Sequence, residues 1–410
     1  MEQFDYLIVG GGLAAASAVD GVRSIDADGT IALLTEEEEP PYHRPPLSKE
    51  YLQTPGATRD LLYVKPEGWF EDEARVELLT GRRVVSLDPR EMTVATGTDE
   101  TYRAERILLA MGGRPRTLLI PGNDLDGVYT FRTVEDAERI REIAPKAETV
   151  VLVGAGFIGM ELAASLTQYD VRSVVVEAED RVWSRMLPPV LSYFVQGYFE
   201  ERGVRFELGT RLEELAGEER VELVRLANGT EMPCDFAVFG VGIRPNEEIA
   251  GEAGLAVMDG VVVDRFGETS HGHIYATGDL ARFPDPVFGD TVRTEHWDHA
   301  RTHGKLVGRN MAGAREAYEH ISYLYSDVFD LGFSVLGRPA QADDVRVVGE
   351  LTADRSLILC GEHERLCGIV LINAADALES CRELLGRKPT LAEAVGELEE
   401  REGELEKVVG

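Results

Sequence analysis

Short apolar runs that end in glycine turns punctuate the chain, and two of these junctions repeat one pattern. The run FDYLIV, residues 4–9, reads as a strand; a glycine triplet follows, then small apolar residues that read as a helix. A second strand, TIALLTE, comes next, and a proline-rich break, PPYHRPPLSKEYL, interrupts the layer. A later strand, ERILLAMGGRPR, ends in another glycine turn. From Thr149 the pattern starts afresh with TVVLVGAGFIGMELAASL and closes on SVVVEAED. FAVFGVGIRPN continues that second layer, HIYATGDLARF reads as a strand running into a loop, and EHWDHARTHGKLVGRNMAG as a helix. The two openings are an internal repeat of one β-α-β nucleotide-binding unit.

After about residue 316 the pattern changes. DLGFSVLG, DVRVVGEL, RSLILCG and CGIVLIN are short strands with turn signals between them, and two helices end the chain. The last, LAEAVGELEEREGELEKV, is acidic with a Leu/Val stripe at helical spacing, as expected of a packed surface helix. The expected fold class is α/β: two Rossmann-like nucleotide-binding domains plus a small α+β C-terminal domain.

Each opening carries a dinucleotide fingerprint. In the first, Gly10 permits the tight strand-to-helix bend and Gly12 lets backbone amides approach a pyrophosphate. Ala15 takes the third position and packs helix on strand. Glu36 closes the next strand, where a carboxylate accepts hydrogen bonds from ribose hydroxyls. In the second, Gly154, Gly156 and Gly159 are followed by Glu177 at the end of VVVE. An acid there repels a 2′-phosphate and favours NADH over NADPH, although Arg181 and Arg185 lie nearby. Two nucleotides in one protein point to hydride transfer between them.

The formal net charge of -32 excludes nucleic acid and anionic membranes as partners, since phosphates need a positive footprint. Docking of a basic protein is the alternative use of such a surface. Six of the 42 basic residues are lysines, a balance that fits a GC-rich genome or a thermophile. No apolar stretch is long enough for a membrane helix, and the first strand leaves no room for a signal peptide. Four cysteines, none before Cys234, form no disulfide framework, so a cytoplasmic setting is expected.

Several motifs together resemble the FAD-dependent pyridine-nucleotide oxidoreductases of the ferredoxin/rubredoxin reductase and apoptosis-inducing-factor type. These are PYHRPPLSK (41–49), ATGD (276–279), EHWDHA (295–300) and YSDVFDLGF (325–333). The resemblance runs nearly end to end and implies a glutathione-reductase-like fold. It implies an FAD-binding domain split into 1–113 and 243–315, an NAD(H)-binding domain at 114–242 and an interface domain at 316–410. Arg44 and Lys49 would contact the FAD pyrophosphate and isoalloxazine, Val84 the adenine, and Arg132 the FAD. Asp279 would bind the ribityl chain or pyrophosphate, and His296 and Trp297 the pyrimidine end of the flavin. Gly112, Gly278 and Glu295 join the FAD set; Ile158, Glu161, Arg185 and Gly242 join the NAD set. Glu161, just after the second fingerprint, would pair with Lys49 and keep it placed beside the flavin.

In this resemblance NADH hands a hydride to FAD, and the electrons leave for a ferredoxin or rubredoxin. Disulfide reductases carry redox cysteines where this chain has LSKEYL, so disulfide, sulfenate-oxidase and peroxidase chemistries are not expected. His303 and Tyr325 depart from the commoner Gln and Trp, which leaves the acceptor open. The alternatives are a diaphorase or oxidase acting on quinones, oxygen or a small radical, and a redox-sensing flavoprotein with a long-lived charge-transfer complex. His296, His299 and His303 share one helix face, but the resemblance turns that helix to the flavin, and no metal is expected. Cys360 and Cys367 are expected as a reduced pair in a hairpin, with a redox-sensitive disulfide as the alternative. A homodimer or monomer–dimer equilibrium is expected from related proteins.

Overall fold

The computed structural model describes residues 2–409, with side chains through Glu400. The chain divides into two compact units. One comprises Met1–Pro45, Thr58–Arg114 and Ile243–Ser322; the other comprises Pro46–Ala57, Pro115–Gly242 and Tyr323–Gly410.

In the first unit, parallel strands run in the order Val76–Leu79, Ile31–Leu34, Glu2–Val9, Thr101–Leu109. Thr101–Leu109 is long enough to serve two neighbours. Its second half pairs in parallel with Ile274–Ala276, and its first half pairs antiparallel with Thr93–Thr96, which in turn pairs with Val84–Asp88. The sequence pattern hides that antiparallel pair because its residues are largely exposed or half-exposed. The central strands are apolar throughout because both faces are covered. Leu7, Val9, Ala32 and Leu34 enter one core; Tyr6, Ile8, Ile31 and Leu33 enter the other.

The fingerprint helix Leu13–Arg23 packs on the helix Trp297–Met311 at backbone range. A Cβ at Gly304 would overlap the backbone of Ala14, and one at Gly308 that of Ala18. Glycine and alanine at these positions set how closely the second helix supports the first.

The second unit holds a parallel sheet in the order Arg205–Glu207, Arg172–Val176, Thr149–Val153, Phe236–Phe239, Val128–Thr130. Beside it are an antiparallel sheet of Leu212–Ala216, Leu223–Leu226 and Glu231–Pro233, and the helices Val134–Ile143 and Pro189–Glu200. Val134–Ile143 opens on a capping box of Thr133 and Asp136 and buries Val134, Ala137 and Ile140 along one face.

Pro46–Ala57 belongs with this unit through polar ties. Ser165 Oγ donates to the Ser48 carbonyl at 2.6 Å, Gln53 Nε2 donates to Ser165 Oγ at 2.9 Å, and the Tyr169 hydroxyl donates to the Leu52 carbonyl. The C-terminal part is a five-stranded antiparallel sheet flanked by the helices Leu378–Gly386 and Leu391–Val409. Leu391, Ala394 and Leu398 bury the stripe of the last helix; its continuation past Glu400 lies outside the described side chains. Among the described residues no helix is long and apolar enough to cross a membrane.

Candidate cofactor sites and the Lys49–Glu161 pair

The first glycine turn is closed behind and open in front. Gly10 adopts φ +123, and a side chain there would run into the Ala110 carbonyl. At Gly12 a Cβ would meet no atom within 4 Å. Gly12 is also the N-cap of Leu13–Arg23 and brings no capping side chain. Helix-end amides facing open space form an anion cradle. Ala15 is fully buried against the sheet. Glu36 stands exposed past its strand, 3.5 Å from Arg83 Nη1.

Arg44 is held beside the Tyr42 hydroxyl (2.8 Å) and Glu37 Oε1 (2.5 Å). Burial opposes its charge, but Tyr42, Glu37 and Asp279 outweigh that, so its pKa is raised. Val84 is buried at the start of its strand, and Gly112 and Gly278 take φ +56 and +65. A Cβ at Gly278 would sit 2.8 Å from that of Ala14.

The helix Trp297–Met311 starts at His296, whose side chain does not cap it but meets Ser322 Oγ at 3.3 Å. Burial holds the His296 imidazole at about 4, against the pull of Asp279 and Asp298. Trp297 Nε1 donates to His43 Nδ1 at 3.1 Å. Glu295 pairs with Arg293 at 2.8 Å. The three histidines do not converge on a common point. His299 Nδ1 lies 3.0 Å from the Tyr318 hydroxyl and His303 Nδ1 lies 3.1 Å from Thr277 Oγ1. Among the described residues no group of three or more His, Cys, Asp or Glu is placed to hold a metal.

The second turn is built the same way. Gly154 takes φ +105, a Cβ there would lie 2.6 Å from the Gly240 carbonyl, and one at Gly159 would strike the Gly154 carbonyl. Gly156 caps the helix Phe157–Leu166 without a side-chain bond, Ile158 lies half-buried in its first turn, and Gly242 faces open space. Glu177 ends the adjoining strand with its carboxylate on the Ala155 amide at 2.7 Å. Arg185 is exposed, whereas Arg181 is engaged by Asp180 and the Ser184 carbonyl.

One turn into Phe157–Leu166, Glu161 is buried and pairs with Lys49 Nζ at 2.8 Å. Lys49 is itself only 8% exposed, and its Nζ lies 5.4 Å from the centre of the Tyr325 ring. A charge pair this enclosed is costly unless further hydrogen bonds satisfy it. Ser326 Oγ donates to Glu161 Oε1 at 2.7 Å, and Ser48 Oγ donates to Glu161 Oε2. Ser48 lies in PYHRPPLSK and Ser326 in YSDVFDLGF, but only the fold brings them together on one carboxylate. Arg132 sits in the same unit, its amide bonded to Asp136 at the start of Val134–Ile143.

Both turns therefore fit dinucleotides: closed where the chain must bend, open where phosphates would lie. Residues 4–304 match the family described as pyridine nucleotide-disulphide oxidoreductase. The chain belongs to that family. Its cofactors are FAD and NAD(H), and it is a flavoprotein oxidoreductase. It is 36% identical over 364 residues to the 5,5'-dehydrodivanillate O-demethylase ferredoxin reductase subunit of a Sphingobium, covering 87% of this chain and 86% of that one. It is 30% identical over 396 residues to the 3-phenylpropionate/cinnamic acid dioxygenase ferredoxin–NAD(+) reductase component of Photorhabdus laumondii, covering 96% and 99%. The crystal structure of the ferredoxin reductase for the CYP199A2 system from Rhodopseudomonas palustris superposes with a TM-score of 0.91 at 34% identity, covering 95% and 97%.

Within a family named for disulphides, this chain has no thiol in the segment of Lys49. Cys234, Cys360, Cys367 and Cys381 are buried, and none is in a disulfide. Burial raises the Cys234 thiol to about 12 and the Cys367 thiol to about 11, away from the thiolate that redox exchange requires. His303 is fully buried, so its departure from the commoner Gln does not place it in contact with an external acceptor.

Proposed function

We propose that the protein is an NADH-dependent reductase of a ferredoxin- or rubredoxin-type electron carrier. The observation that carries this reading is the buried Lys49–Glu161 pair in a chain with no cysteine before Cys234. FAD, when bound, would supply the chemistry that links two-electron donation by NADH to one-electron delivery to the carrier. The amides at Gly12 bind its pyrophosphate, Glu36 its adenosine ribose, and Arg44 and Asp279 orient it, with Val84, Gly112, Arg132, Gly278, Glu295, His296 and Trp297 completing the set. Gly154, Gly156, Ile158, Gly159, Glu161, Arg185 and Gly242 would hold NADH, and Glu177 would take its ribose hydroxyls. Lys49, fixed by Glu161, supplies the positive charge that favours hydride acceptance. The ferredoxin reductases named above support the choice of acceptor.

Anaerobic mixing with NADH is expected to bleach the flavin, and ferredoxin or rubredoxin to restore its colour within a turnover. Absence of bleaching with both NADH and NADPH would refute the reading.

The net charge of -32 favours a second reading, a diaphorase with quinone or oxygen as acceptor, because an acidic ferredoxin would be repelled. Turnover on quinone exceeding that on every iron–sulfur protein at all salt concentrations selects it. We also read the protein as cytoplasmic, which four cysteines outside any disulfide support, and as a homodimer or monomer–dimer equilibrium, which light scattering tests.

A further inference from the structure

The Lys49–Glu161 pair uses one donor on a carboxylate that has room for about four. Its remaining bonds come from two hydroxyls, one in PYHRPPLSK and one in YSDVFDLGF, to which those motifs assign no role. Ser48, next to the lysine, donates to Oε2; Ser326, from the strand Tyr323–Val328, donates to Oε1 at 2.7 Å. Both serines are as buried as the carboxylate they serve, at 1% and 0% exposure. Ser48 is itself held, because its carbonyl accepts the Ser165 hydroxyl from the turn after Glu161.

Donors on both oxygens fix the plane of the Glu161 carboxylate, and that plane sets where Lys49 Nζ stands. A third charged group would also fix it, but would change the charge of the site; hydroxyls do not. Lys49 and Ser326 share Oε1, so the C-terminal strand acts on the ammonium through one oxygen atom. The same strand places the Tyr325 ring beside Lys49 and Asp327 within its electrostatic reach.

We propose that Ser326 and Ser48 are positioning residues for hydride transfer, clamping Glu161 so that Lys49 is held in its working place. The proposal rests on the role given to Lys49 above. It makes the C-terminal domain part of the reductive chemistry.

The test uses the FAD holoenzyme with Ser326→Ala, Ser326→Thr, Ser48→Ala, Lys49→Met and Glu161→Gln. Single-turnover reduction by NADH separates the dissociation constant from the limiting rate, and dye equilibration measures the flavin midpoint potential without turnover. Ser326→Ala is expected to lower the limiting rate about tenfold, the scale of one charge-assisted hydrogen bond, with an unchanged dissociation constant and a more negative potential. Ser48→Ala should act in the same direction, and Ser326→Thr should recover most of the loss. In a Glu161→Gln background, Ser326→Ala should add little, since it acts through that carboxylate. A wild-type rate and potential in Ser326→Ala beside a slow Lys49→Met overturns the clamp alone. The same tenfold loss persisting in Glu161→Gln also overturns it. A wild-type rate in Lys49→Met overturns instead the role of Lys49. If Ser326→Ala does not fold, Ser326→Cys keeps the volume and replaces it in the series.

Discussion

Glu177 reaches back over the second glycine turn and accepts the Ala155 amide at 2.7 Å, while its other oxygen accepts the Glu179 amide at 3.0 Å. A carboxylate bound to two backbone amides has little freedom to swing aside. A 2′-phosphate would therefore meet a fixed negative charge at the end of the strand. Glu177→Gln is expected to weaken NADH about fivefold or more and to raise the NADPH/NADH ratio of flavin reduction rates at least tenfold. Stopped-flow reduction with each nucleotide measures both. An unchanged ratio would show that cofactor choice lies elsewhere.

Removing one member of the buried ion pair should cost more stability than removing both. Lys49→Met leaves Glu161 charged and enclosed with only its serines, and a loss of about 3–5 kcal/mol is expected. Glu161→Gln added to that variant should recover most of it. Denaturant unfolding of the two variants and the double variant gives the coupling; additive losses would contradict it.

The buried histidines make the fold acid-sensitive. Burial holds His296 at about 4 and His303 at about 3, below their ordinary 6.5. His299 is also held well below it, by burial and by neighbouring His303, His296 and His320. Their folded pKa values are depressed, so the unfolded chain takes up protons first. Their contribution is complete above pH about 6.5 and is lost as pH falls toward 4 and then 3, by up to about 1.4 kcal/mol per pH unit for each histidine. His303→Gln should keep a neutral partner for Thr277 and flatten the fall. Melting temperatures across this range report it; an equally steep fall in the variant would refute the assignment.

Small residues on the helix Trp297–Met311 are expected to matter for FAD retention. Gly308→Ala places a methyl group in the backbone of Ala18 and should destabilise by about 1–3 kcal/mol, with easier loss of flavin. Gly197→Ala, in the helix Pro189–Glu200 with nothing within 4 Å, should instead stabilise by about 0.5–1 kcal/mol. Calorimetry and flavin fluorescence distinguish the two.

Much of this was legible before folding. The two glycine turns, their acids and the central strands are short-range features, because bend, amide and carboxylate lie within one β-α-β unit. Glu36 and Glu177 stand where spacing places them. The antiparallel pair Val84–Asp88 and Thr93–Thr96 is not legible from apolar pattern, because its residues are largely exposed or half-exposed. The partners of Arg44 were missed for a different reason. Glu37 and Tyr42 look like any other members of an acid-rich, proline-rich loop until the loop closes.

The Lys49–Glu161 pair divides the two kinds of knowledge. Sequence by itself determined that the chain binds two dinucleotides, that cysteine chemistry is absent from the Lys49 segment, and, through resemblance, that Lys49 and Glu161 belong together. Tertiary structure alone decided what holds them. Ser48, Glu161 and Ser326 are separated by 113 and 165 residues, yet their oxygens share one buried carboxylate. Ser48 and Ser326 lie within PYHRPPLSK and YSDVFDLGF, but a hydroxyl carries no periodicity or charge along the chain that would mark its partner. It becomes informative only when burial removes water and leaves it as one of the few donors within reach.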